Sequence, residues 1–161
     1  MKEYPRTAAH GRLLRAASIA GLLALAACGT VRPIGEGGAV SAGAYLGSIR
    51  SQNGLTALSA DPALQRAALE QAGYMAQTQR MSHTTRLGRD FRSRLRENDI
   101  RGAAAENVAY GQKDLGSLFQ AWMNSSGHRR NMLDPRFSRY GLAYAAAEGS
   151  GRRYWALVLA R

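Results

Sequence analysis

The chain has 161 residues, with 22 Lys and Arg against 11 Asp and Glu, a formal net charge of +11 and one cysteine, Cys28. A lone cysteine excludes an internal disulfide, so the fold must be held by its core, and the length suits one domain with a single core. The basic excess calls for an anionic partner or a solvated face.

The leader comes first in chain order. Lys2, Arg6, Arg12 and Arg15 precede an uncharged apolar run from Ala16 to Ala27, the order of a secretory signal. About 12 apolar residues are too few to cross a bilayer, which takes about 20. The run ends in Leu25-Ala26-Ala27-Cys28, which resembles the bacterial lipobox. The resemblance implies removal of residues 1–27, acylation of Cys28 and a protein anchored to a membrane without spanning it. The alternative is an ordinary cleaved signal beside a free thiol. Gly29, rather than Asp, follows Cys28 and resembles the sorting pattern of outer-membrane lipoproteins, placing the mature chain at the cell envelope, facing the periplasm or the cell surface.

Residues 28–40 are rich in Gly, lack periodicity and read as a flexible tether with a reach on the order of 20 Å; the domain proper is expected over 41–161. Ser41 is placed to cap a helix bearing Tyr45, Leu46 and Ile49 that stops at Asn53-Gly54. Asp61-Pro62 opens a longer helix, with Leu64, Ala67, Ala68, Ala72, Met75 and Ala76 at helical spacing. A short helix follows Asp90 with Phe91 and Leu95, and another follows Asp114 with Leu115, Leu118, Phe119 and Trp122. The period then changes: Tyr140–Ala147 and Tyr154–Ala160 flank the turn Glu148-Gly149-Ser150-Gly151 as an antiparallel hairpin, and Ala105–Ala109 offers a further strand. Helices followed by a terminal hairpin predict an α+β fold. Trp122, Trp155, Tyr140, Tyr144 and Tyr154 are assigned to the core, Asn107 and Asn131 to fixing loops, and Asp134-Pro135 to a turn.

Arg86, Arg89, Arg92, Arg94, Arg96 and Arg101 crowd into one stretch with Phe91 as its only stacking residue. That composition favours anionic lipid or a cell-wall ligand, or a plain solvated face, over nucleic acid. His10 leaves with the leader, so His83 and His128, both read as loop residues, are the imidazoles of the mature chain. Glu106 sits among alanines and needs a partner if buried; a histidine is the natural one. Ser82 and Ser126 adjoin the histidines, but neighbours in sequence do not make the hydrogen-bonded geometry of a serine triad.

In order along the chain stand Ile49-Arg50 before Asn53-Gly54-Leu55, Asp61-Pro62-Ala63-Leu64, Ser82-His83-Thr84, Glu106-Asn107-Val108-Ala109, Trp122, Gly127-His128-Arg129 with Asn131 and Leu133, and Tyr140-Gly141. This series resembles the CAP superfamily of cysteine-rich secretory proteins, antigen 5 and pathogenesis-related proteins, in its bacterial SCP-like branch. The resemblance implies an α-β-α sandwich with a small antiparallel sheet and a cleft where His83, Glu106 and His128 meet. Many eukaryotic members carry a second glutamate where this chain has Ser125, so a mechanism needing two carboxylates loses support. Two imidazoles and a carboxylate can hold zinc with a fourth position for water, and the resemblance implies a cleft able to take a divalent cation. Equally, the three side chains can lock two loops together. The expected function is a monomeric, membrane-anchored ligand-binding or interaction module. The alternatives are a metal-assisted hydrolase of peptide or cell-wall material with Glu106 as general base, and a passive envelope-stability or host-interaction protein.

Overall fold

The computed structural model describes Met1 and residues 36–84 and 90–161. The expected signal segment after Met1, together with Cys28, Arg86 and Arg89, lies outside the described residues. What is described forms one sheet with helices on both faces.

Strand β1 (Gly37–Val40) leads into helix α1 (Gly43–Ser51), then come strand β2 (Ser59–Ala60), helices α2 (Pro62–Thr78) and α3 (Phe91–Glu97), strand β3 (Ala104–Tyr110), helices α4 (Leu115–Asn124) and α5 (Ser126–Met132), and strands β4 (Arg139–Ala146) and β5 (Arg153–Ala160). The sheet order is β1-β4-β5-β3, all antiparallel, with β2 added parallel to the start of β4. Strand β3 is therefore an edge.

Both faces of β5 are buried because alternate residues feed two cores. Ala156, Val158 and Ala160 join Ala143 and Ala145 of β4 against Leu64, Ala67, Ala68, Ala72 and Met75 of α2, with Phe91 and Leu95 of α3 packed beside them. Trp155, Leu157 and Leu159 face the other way, onto Leu46 of α1, Leu118, Phe119 and Trp122 of α4, and Met132 of α5. Small residues line the first face and large ones the second. The small face lets α2 lie on the sheet backbone: a Cβ at Gly141 would stand 2.1 Å from the carbonyl carbon of Leu64. Two helical layers around one sheet give the α-β-α sandwich expected.

Caps explain where the helices start. Asp61 accepts from the amides of Ala63 and Leu64 ahead of Pro62, Asp90 accepts from Ser93, and Asp114 from Ser117. Four expectations need correction. The end of the predicted tether is β1, since Gly37–Val40 pairs with Leu142–Ala145; its order comes from a backbone ladder rather than from side-chain periodicity, and the bare Gly37 lets β4 approach closely. Ser41 does not cap α1: the residue there is Ala42, with no side-chain cap, its amide donating to the Tyr140 hydroxyl at 3.2 Å. The helix also ends at Ser51, and Gly54 follows in a left-handed turn at φ +69. Finally, His128 lies in α5 and not in a loop.

Candidate functional site

Alternation along the edge strand sends Glu106 and Val108 to the α2–α3 side and Asn107 and Ala109 to the α4–α5 side. The cleft straddles that edge, so each layer contributes one imidazole.

Glu106 is buried, its side chain 2% exposed, and both carboxylate oxygens are occupied. Oε1 lies 2.8 Å from His83 Nδ1 and Oε2 accepts from Arg94 Nη2 at 2.6 Å. An ionised carboxylate only accepts, so the His83 proton sits on Nδ1 and leaves Nε2 pointing away from the acid. Arg94, 3% exposed, also donates from Nη1 to the His83 carbonyl at 3.3 Å. One guanidinium thus fixes the acid and the loop that carries its histidine. The His83 ring remains 56% exposed, and the Glu106 hydrogen bond holds its pKa above the ordinary 6.5 against the opposing pull of burial.

His128 is positioned through its backbone. Asn107 Nδ2 donates to the His128 carbonyl at 3.0 Å, and Asn131 Nδ2 donates to Asn107 Oδ1 at 2.8 Å and to the Glu106 carbonyl at 3.4 Å. With Trp122 Nε1 donating to the Val108 carbonyl at 3.3 Å, outward carbonyls of the edge strand are capped by side chains from α4 and α5. The two asparagines act as expected. The His128 ring stands 6.4 Å from Trp122, tilted by 53°. Burial lowers its pKa, and the nearby His83 lowers it further.

Beside His128 runs a groove of about 240 Å³ lined by Met81, Val108, Tyr110, Gln112 and Trp122, with Ser125 at the place of the second acid. Met81 and Tyr110 are 49% and 47% exposed, and Gln112 Oε1 is buried with no hydrogen-bond partner among the described residues. Ser82 Oγ accepts from the Thr84 amide at 3.0 Å, a turn contact, and Ser126 opens α5; neither hydroxyl is hydrogen-bonded to a histidine among the described residues.

The three-ligand zinc set does not assemble in this arrangement. Among the described residues no group of three His, Cys, Asp or Glu is gathered for an ion, and Glu106 is turned to His83 and Arg94. The donor chemistry that remains is a pair of imidazoles, with Glu106 behind His83 as the orienting carboxylate.

Arg94 does not stand out in the sequence as a site residue, because six arginines in one stretch look like a solvated face. A signal was there. Phe91, Arg94, Leu95 and Asn98 recur at i, i+3, i+4 and i+7, which puts Arg94 on the buried stripe of α3. Arg50 is likewise fully buried, donating from Nε to Thr56 at 2.7 Å and from Nη1 to Met132 at 2.9 Å.

Residues 44–159 match the CAP family, described as the cysteine-rich secretory protein family. The chain is 51% identical over 41 residues to the uncharacterized protein YkwD of Bacillus subtilis, covering 26% of this chain and 16% of that protein. Among solved structures it resembles an extracellular SCP-domain protein from Bacillus anthracis, with 25% identity, a TM-score of 0.63, and coverage of 72% of this chain and 37% of the other. It shares its fold with an outer surface protein of Borrelia burgdorferi, with 18% identity, a TM-score of 0.66, and coverage of 77% and 97%. The chain spans less than a third of the length of the curated relatives it matches. The family match extends over more than half of the sequence and includes every residue of the cleft: the chain belongs to the CAP, or cysteine-rich secretory protein, family.

Proposed function

We propose that this chain is an exported, lipid-anchored CAP module of the cell envelope whose cleft captures a ligand without cutting it. The observation that carries the reading is the engagement of both Glu106 oxygens, by His83 and by Arg94. A general base must touch the water it activates; the Glu106 side chain is 2% exposed with each oxygen turned to a protein donor, and Ser125 supplies no second acid. What the cleft offers is recognition: exposed Met81 and Tyr110 beside the His128 ring. The extracellular relative from Bacillus anthracis supports an exported setting. Cys28 is assigned the lipid on the strength of the Leu25-Ala26-Ala27-Cys28 sequence, and the basic charge suits an anionic lipid or cell-wall ligand.

Three measurements test this. The full chain, supplied with zinc chloride and either casein or purified cell wall, is expected to release no product, while the apolar anionic dye anilinonaphthalene sulfonate binds saturably and at least about 5-fold more weakly to Met81→Asp, an apolar-to-charged change in the groove. Zinc-dependent product release abolished by Glu106→Gln would establish the hydrolase instead. Mass spectrometry of the membrane-extracted protein checks the anchor: a diacylglycerol adduct on Cys28 is expected, and a free thiol contradicts it.

A second reading rests on the two imidazoles carried on opposite sides of the edge strand, His83 on Glu106 and His128 over Asn107. With Nδ1 of His83 tied to Glu106, its Nε2 and the His128 ring fit a weak two-imidazole site for a divalent ion, without chemistry at Glu106. Zinc binding lost in both His83→Ala and His128→Ala supports it; equal binding by both variants and the parent ends it.

A further inference from the structure

Helix α5 and the turn after it carry a second concavity, of about 590 Å³, with residues distinct from those of the groove beside His128. Arg129, Arg130 and Arg136 line it, with Leu133 and Pro135 between them. Arg129 and Arg130 are exposed. Arg129 gives one Nη1 donor to the Met123 carbonyl at 3.2 Å, and among the described residues neither Arg129 nor Arg130 has an acidic partner. Arg136 is clamped by Asp134, with Nη2 to Oδ2 at 2.6 Å, so the concavity holds three guanidinium groups against one carboxylate.

The floor is organised from below. The buried Arg50 donates to the carbonyls of Met132 at 2.9 Å, Asp134 at 3.0 Å and Phe137 at 3.3 Å. Those carbonyls are drawn inward, so the oxygens that would repel an anion face the protein interior. The turn is also held in one shape before anything binds. An anion meeting this face encounters guanidinium forks, with the one carboxylate, Asp134, held by Arg136.

We propose that this cup is a docking surface for the phosphate groups of an anionic lipid bilayer. Guanidinium matches phosphate with paired N–H donors, and Leu133 and Pro135 among the arginines give the mixed apolar and cationic surface that settles at a headgroup boundary. The concavity, about 590 Å³, is larger than one small anion requires. The choice of a bilayer as occupant rests on the envelope function proposed above, which keeps the domain near a membrane.

Sedimentation with vesicles tests it, using the full chain produced without acylation. On phosphatidylcholine vesicles containing phosphatidylglycerol, Arg129→Gln/Arg130→Gln is expected to lower partitioning about 20- to 30-fold, from about 5-fold per arginine near an anionic surface. The control Arg66→Gln/Arg80→Gln removes the same charge from exposed positions on and just beyond α2, across the sheet, and is expected to lower it less than about 3-fold. Equal losses in the two variants, or no loss in either, overturn the proposal. Release of the parent chain by inorganic phosphate, but not by chloride at equal ionic strength, would assign the cup to free phosphate and overturn the bilayer as occupant. Because no acylation is involved, a missing lipid on Cys28 would refute the anchor and leave this result standing.

Discussion

A carboxylate taken out of water must be met by charge and by hydrogen bonds, and Glu106 is met by both. Arg94 and Glu106 are each almost wholly buried and lie 2.6 Å apart, so removing either leaves the other's charge uncompensated. Arg94→Met or Glu106→Gln is expected to cost about 3–5 kcal/mol in urea unfolding, and the double variant less than the sum of the two. Single losses below about 0.5 kcal/mol would show that the pair contributes little to the fold. Part of this cluster was legible beforehand. An acid amid alanines predicts a partner, and His83 is one. The guanidinium was not read, because six arginines in one stretch look like a solvated face until the register of α3 turns one of them inward.

At the scale of elements, the determining contact is the bed of small residues under α2. Gly141→Ala would push a methyl group into the backbone of Leu64 and Gln65, lifting the helix from β4 at a cost of about 3 kcal/mol or more. Gly38 on β1 meets nothing within 4 Å, so Gly38→Ala is expected to change the melting temperature by about a degree at most; similar losses in the two variants would contradict the packing described. Helices announced themselves in the sequence through their caps: Asp61-Pro62, Asp90 and Asp114 each start one. Strand β1 did not, because Gly37-Gly38 carries no apolar pattern and its place is set by a partner more than a hundred residues later. The short α5 was hidden too, since Ser126–Met132 carries only Met132 as a fully buried anchor.

For the whole molecule, the two histidines make opposite contributions to pH dependence. His83 has a raised pKa in the folded state, led by its Glu106 hydrogen bond. Its contribution is full below about pH 6.5 and fades as pH rises through the folded value. His128 has a lowered pKa, led by burial. Its contribution is full above about pH 6.5 and fades as pH falls through its folded value. Urea midpoints of the parent are therefore expected to vary little around pH 6.5. In His83→Asn, the fade on acidification remains and the fade on the alkaline side disappears. A variant whose midpoint still declines from pH 6.5 upward over the imidazole range would contradict that assignment. The sandwich brings these residues together because β3 is an edge strand, with one imidazole arriving from each side of it. The ordered motifs pointed to the family and to a common cleft. They did not show that the carboxylate would be fully engaged, since that depends on a guanidinium from α3 whose side chain crosses to β3.

The most direct check on that engagement is proton NMR of the imidazole ring hydrogens across pH, in the parent and in Glu106→Gln. His83 is expected to titrate above the ordinary value near 6.5 in the parent and to move back toward it in the variant, while His128 titrates below it in both. A His83 resonance that titrates at the ordinary value and ignores the substitution would mean that Glu106 is not held by His83, and the case against a free catalytic carboxylate would fall with it.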